Sequence, residues 1–219
     1  IRAIIDEANT QFQIIVGGID ENFIISLTPD HFNGLENLGN ALYALAMCAE
    51  NEDKISLLEQ ASEKIERILR IKPDYQKAYQ LLAVIFINFV TQSEEGQKII
   101  HLERLIEHYK SAQKNGVQTF EIYSGWAYAL ILLSYLKENP EKSTILFEAL
   151  EKAQKANQLQ AGAGDYNIAC VYSLLNEKEK ALNHLKAAIK FQSEYQERAK
   201  DDDDLKNLKD TPEFHKLMA

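Results

Sequence analysis

With 219 residues, 46% of them hydrophobic, the chain carries enough apolar side chains for a sizeable core, in one large domain or two small ones. Nine Gly and four Pro among abundant Ala, Leu, Glu, Lys and Gln argue against an all-β fold rich in turns and favour long helices. A formal charge of −9 and a pI near 5.1 argue against a nucleic-acid-binding surface, because affinity for phosphate rests on clustered Lys and Arg.

Periodicity and helix breakers predict helices over 1–16, 20–27, 30–50, 54–71, 74–92, 97–114, 118–137, 141–158, 164–175 and 178–191, then short helices to the end. The start at Ile1, without Met or a charged-then-apolar leader, reads as a processed or truncated piece. The compartment therefore stays open, with a lean to the cytoplasm, and a removed targeting signal or lipid anchor is compatible with it. Gly17-Gly18 interrupts an incomplete leading unit, so 1–29 reads as an N-terminal cap or partial repeat. Thr28 before Pro29 supplies an N-cap with Pro at the first helical position. The breaks Glu50-Asn51-Glu52-Asp53, Gln92-Ser93-Glu94-Glu95-Gly96 and Lys137-Glu138-Asn139-Pro140 fall within helix pairs. Pro73, Asn115-Gly116 and Gly162–Gly164 fall between them, where a missing donor or a left-handed cap ends a helix. The longest apolar run, Leu81–Val90 broken by Asn88, falls well short of the roughly 20 residues that span a bilayer.

Shifting the chain by 44 residues lays Ile24-Ile25-Ser26-Leu27-Thr28-Pro29-Asp30 on Ile68-Leu69-Arg70-Ile71-Lys72-Pro73-Asp74. The same shift aligns Leu38, Leu82 and Trp126; Gly39, Ala83 and Ala127; and Leu42, Phe86 and Leu130. Further on it aligns Leu58, Leu102 and Leu146; Ala61, Leu105 and Ala149; and Ile68, Ala112 and Ala156. Large and small residues keep their own columns. The spacings Leu35, Leu38, Leu42, Leu45 and Leu58, Ala61, Ile65, Ile68 each mark one face of a helix, so every unit is an antiparallel helix pair.

The last pair, Asp165-Tyr166-Asn167-Ile168-Ala169-Cys170-Val171-Tyr172 through Ala181, Leu185 and Ala188, resembles a tetratricopeptide repeat (TPR) of ordinary length. The preceding units look like the same motif lengthened by ten residues, since Gly39 to Ile68 spans 29 residues and Ala169 to Ala188 spans 19. HEAT and armadillo arrays also repeat at about this length, but Lys-Pro-Asp after a helix and the final pair favour the tetratricopeptide reading. The tail Asp201–Leu217 is similar to the ending of many bacterial tetratricopeptide proteins, with Leu205, Leu208, Phe214 and Leu217 placed to cover an apolar face while the aspartates stay solvated. The resemblance implies an all-α, alpha-alpha superhelix, a TPR-like solenoid of antiparallel hairpins with C-terminal capping helices. Its expected parts are repeats over 30–73, 74–117, 118–161 and 162–193 and a cap over 194–219, in one continuous domain.

No catalytic constellation is legible, and no catalytic residue, metal or cofactor is expected. Cys48 and Cys170 match no disulfide or CxxC spacing and read as small core residues. His101 and His108, with Glu103 and Glu107 nearby, sit seven apart, whereas helical metal ligands recur at i, i+3 or i, i+4, so they read as surface histidines. His31, His184 and His215 are isolated. Gly17-Gly18 and Ala161-Gly162-Ala163-Gly164 lack the strand, loop and Lys of a phosphate cradle. Asp201–Asp204 lacks the alternating ligands and Gly of a calcium loop and reads as a solvated helix start.

In tetratricopeptide arrays the first helices of successive hairpins line the concave face, so the resemblance implies partner contacts there. The columns place Asn33, Glu36, Asn40 and Tyr43, then Lys77, Gln80, Val84 and Ile87, then Glu121, Ser124, Tyr128 and Ile131 on that face. The subfamily that grips a chaperone's C-terminal carboxylate uses Lys, Arg and Asn at such positions. Here Glu36, Leu81 and Glu121 depart from that set and disfavour a carboxylate clamp. Tyr43, Val84, Ile87, Tyr128 and Ile131 form an apolar stripe suited to an amphipathic helix or extended peptide, and the same residues also fit packing between hairpins. The expected function is a non-enzymatic scaffold or adaptor for a protein or peptide partner. The alternative is a regulatory or oligomerisation module of a larger protein, and a homo-oligomer is compatible with either.

Overall fold

The computed structural model describes residues 29–49 and 51–219, and every regular element among them is helical. The helices expected over 1–16 and 20–27, with the leading cap they imply, lie outside the described residues. The chain divides into two compact units, one running to Ala78 and the other from Tyr79 to Ala219.

In the first unit, α1 (Pro29–Cys48) pairs with α2 (Asn51–Ile71), and α3 (Gln76–Gln92) begins at its end. Leu35 and Leu42 of α1 and Leu58, Ala61, Ile65 and Ile68 of α2 are buried, while Leu38 and Leu45 are half-buried. Gly39 is the close-approach point, since a Cβ there would lie 2.5 Å from Ile65 Cδ1. Phe32 meets the Tyr75 ring edge-on at 4.8 Å, and the Tyr75 hydroxyl donates to Glu36 at 2.9 Å. Cys48, expected in the core, is exposed at the end of α1.

The second unit continues along α3 and adds α4 (Glu95–Lys114), α5 (Phe120–Ser134), α6 (Glu141–Leu159), α7 (Asp165–Leu174), α8 (Lys178–Phe191) and α9 (Glu194–Asp201). A 3-10 turn (Asp203–Leu205) and α10 (Pro212–Met218) complete it. Helix α5 packs on α4 and α6, and α7 on α6 and α8, so sequence neighbours are spatial neighbours. The repeat columns are core columns: Leu82, Phe86, Leu102, Leu105, Ala112, Trp126, Ala127, Leu130, Leu146, Ala149 and Ala156 are all buried. Ala127, Ala153 and Ile168 join α5, α6 and α7 in one apolar cluster. Burying a leucine-sized side chain this way stabilises the fold by about 1.5–3 kcal/mol.

Three local features depart from the sequence expectations. Helix α5 stops at Ser134 rather than near 137, because the Tyr135 and Leu136 amides tighten onto the Leu132 and Leu133 carbonyls in i→i+3 fashion. His101 and His108 are half-buried rather than surface residues: His101 stacks on Phe89 at 4.7 Å, and His108 lies 5.4 Å from Phe86. Both imidazoles serve as packing rings for α3. The tail buries Leu205, Leu208 and Phe214, yet Asp204 is buried as well and Asp202 half-buried, so the aspartate run is not simply solvated.

The α6–α7 connection is fixed by polar bonds. Asn157 accepts the Gly164 amide at 2.6 Å and donates to Asp165 at 2.9 Å, and His184 Nδ1 bonds Asp165 at 2.7 Å. Gly164 lets α7 approach α6 so closely that an added Cβ would collide with the Ala153 carbonyl oxygen. Helix α10 begins at Pro212, with Thr211 accepting the Phe214 amide at 3.3 Å. Gly164→Ala therefore destabilises the chain by about 1–3 kcal/mol through overpacking. Gly34→Ala, in open space within α1, stabilises it by up to about 1 kcal/mol, and urea unfolding of the two variants checks both signs.

Candidate partner-binding groove

In the second unit the first helices of the last two hairpins, α5 and α7, and the first helix of the tail, α9, bring one set of side chains together. Asn167 donates from its amide to the Ser124 carbonyl at 2.8 Å and to the Ser124 hydroxyl at 3.1 Å, tying α7 to α5. Tyr166 stacks on Tyr195 at 4.4 Å, tying α7 to α9. The Arg198 guanidinium lies 4.6 Å from the Tyr166 ring and 5.8 Å from that of Tyr128, and its Nε is 3.6 Å from Asp202.

Two clefts open on either side of this arginine. One, of about 390 Å³, is lined by Ser124, Gly125, Tyr128, Tyr166, Asn167, Tyr195 and Arg198. The other, of about 410 Å³, is lined by Tyr128, Leu132, Tyr135, Arg198 and Asp202 to Asp204. Tyr128 and Arg198 belong to both, so the two form adjoining compartments of one groove.

The groove's floor is a network of tyrosine hydroxyls and aspartates. Tyr166 donates to Asp202 at 2.7 Å, and Tyr135 donates to Asp204, whose own amide donates to Asp202 at 3.0 Å. Burial, then the aspartate bond, pushes the Tyr135 and Tyr166 hydroxyls well above their ordinary range. Burial also raises the Asp204 carboxyl, against the Tyr135 bond that favours its charged form. Cys170 Sγ and carboxylate oxygens of Asp202 and Asp204 lie within 4.8 Å of one another, donor types that suit zinc. Both carboxylates already accept tyrosine hydroxyls. Burial and then the two carboxylates push the Cys170 thiol up, so it stays protonated and is a poor nucleophile. The cluster therefore reads as the joint that docks the tail onto α5 and α7.

The residues expected on the concave face scatter. Ser124 and Tyr128 line the groove, half-buried. Glu121 is half-buried on the same helix, while Ile131 is fully buried and offers no surface, because it faces the core side of α5. Gln80 and Ile87 are half-buried and Val84 exposed on α3, and none lines either cleft. In the first unit Asn33, Asn40 and Lys77 are exposed and Glu36 and Tyr43 half-buried, with Glu36 engaged by Tyr75 and the Asn40 amide turned onto the Glu36 carbonyl. Sequence reasoning missed Tyr135, Tyr166, Asn167, Tyr195, Arg198 and the inward aspartates. Only Tyr166-Asn167, inside the repeat signature, and the Asp201–Asp204 run carried a signal.

Helix pairs packed in sequence order on recurring small-residue columns, closed by a capping tail, define a tetratricopeptide-like helical repeat protein. A thermophilic TPR protein of Thermus thermophilus, known from its crystal structure, has this fold too. It matches with a TM-score of 0.56 and 22% sequence identity, over 75% of this chain and 77% of that one. Residues 24–212 match the family described as Regulator of microtubule dynamics protein 1-3, and the chain belongs to that family. No curated protein matches the chain. Among the described residues, no helix is long and apolar enough to cross a membrane.

The tyrosine hydroxyls give stability a definite pH dependence. Above the ordinary tyrosine value of 10.0 the unfolded chain releases protons that native Tyr135 and Tyr166 keep. Stability is thus full below that pH and falls as the pH climbs past it. Urea midpoints drop between pH 9 and pH 11, and Tyr166→Phe shrinks that drop while lowering stability at neutral pH by about 2 kcal/mol, the scale of a hydrogen bond to a charged group.

Proposed function

We propose that the chain is a non-enzymatic protein-interaction module that holds a segment of a partner protein in the groove of α5, α7 and α9. One observation carries this reading. Side chains from α5, α7 and α9, among them Tyr128, Tyr166 and Tyr195 with Asn167 and Arg198, wall two adjoining clefts, the mixture of rigid aromatic anchors and polar groups that suits a docked peptide. The family's description ties its members to the regulation of microtubule dynamics, and a binding module fits such a role without chemistry of its own.

The three carboxylates beside a single guanidinium disfavour a partner's C-terminal carboxylate, in keeping with Glu36 and Glu121 in place of a basic clamp. The reading is checked by quantitative affinity capture with wild type, Tyr128→Ala and, on an exposed side chain outside both clefts, Phe147→Ala. Tyr128→Ala removes a set of specific partners at least tenfold while Phe147→Ala keeps them. Equal retention by both folded variants ends the groove assignment.

A further inference from the structure

The larger cleft has its own chemistry. Its charged lining is Asp202, Asp203 and Asp204 against Arg198, with the Lys142 ammonium over the Tyr135 ring at its edge, and Arg198 is engaged by Asp202 and the rings of Tyr128 and Tyr166. Asp203 is exposed at the mouth. The walls are the ring of Tyr128 and Leu132 on α5 and the ring of Tyr135 just past its end, a surface that takes the methylene stem of a long side chain. These rings already gather cations: the Lys142 ammonium rests 5.5 Å from the Tyr135 centroid, as Arg198 does beside Tyr128. The neighbouring cleft is different, with hydroxyls, the Asn167 amide and Arg198 but no carboxylate.

We propose that the Tyr135–Asp203 cleft takes the arginine or lysine side chain of an extended segment of a partner protein, whose neighbouring residues lie along the Ser124–Asn167 cleft. This deepens the binding reading above by naming the anchor. The aromatic walls sandwich the apolar stem, the aspartates meet the cationic head, and the unequal charge of the two clefts fixes which way the segment runs. An acidic side chain in the same place would meet the exposed Asp203 carboxylate, while the one lining guanidinium is already engaged by Asp202, and be rejected.

The test is a selection of displayed fifteen-residue peptides on the whole chain, repeated with Asp203→Asn and with Tyr128→Ala. The Asp203 side chain takes no part in the tail joint, so Asp203→Asn leaves the fold intact by circular dichroism. Wild type enriches Arg or Lys at one fixed position. Replacing that residue by Gln weakens binding at least tenfold by fluorescence polarisation, and raising the salt weakens the basic peptide but not the Gln peptide. Asp203→Asn erases the preference. A selection that returns no basic position, or a basic preference unchanged by Asp203→Asn, overturns the proposal. Should the selection fail in either way while Tyr128→Ala still empties the partner set in affinity capture, the cationic anchor alone is refuted and the groove reading stands.

Discussion

Everything in the second unit depends on how closely α5, α6 and α7 can approach at Ala127, Ala153 and Ile168. With no side chain beyond a methyl at two of these three points, the backbones draw together until the α6–α7 turn can exist only with Gly164 in it. That spacing brings the Asn167 amide within hydrogen-bond reach of Ser124 and sets Tyr166 beside Arg198. A larger residue at the Ala127 column would separate the helices that make the groove before it touched any groove residue.

The tail is the second determinant. A terminal hairpin leaves an apolar face that needs covering, and Leu205, Leu208 and Phe214 cover it. Hydrophobic burial alone has little direction. The two hydroxyl-to-carboxylate bonds, Tyr166 to Asp202 and Tyr135 to Asp204, fix the orientation, and Asp203 between them stays exposed. Buried carboxylates are tolerated here because each meets a donor.

The fold was legible because its signal repeats. Leu42, Phe86 and Leu130 recur at a constant interval and are all core, and Gly39 and Ala127 of the small-residue column sit where helices close up, while Ala83 is half-buried. The groove was legible only in part, at Ser124 and Tyr128, since its other members meet through bonds between residues 69 and 36 positions apart, which no local pattern encodes. The aspartate run reads as solvated because a charge run usually is, and nothing in the sequence reveals that tyrosines from two other helices reach Asp202 and Asp204. Ile131 departs for a simpler reason. A column transferred from α1 to α5 assumes the same exposed arc, whereas α5 is packed by α4, α6 and α7 and retains a narrower one.

An end piece that served only as a lid over an apolar face could be exchanged without touching the inner surface. Here the lid supplies half of a wall, because the aspartates that lock it down also line the larger cleft. Extending the array by grafting another hairpin in place of residues 194–219 would lengthen the inner surface and erase its most distinctive compartment at the same time. Repeat number and cleft chemistry are thus coupled in this chain, and the carboxylate-lined compartment sits at the end of the array.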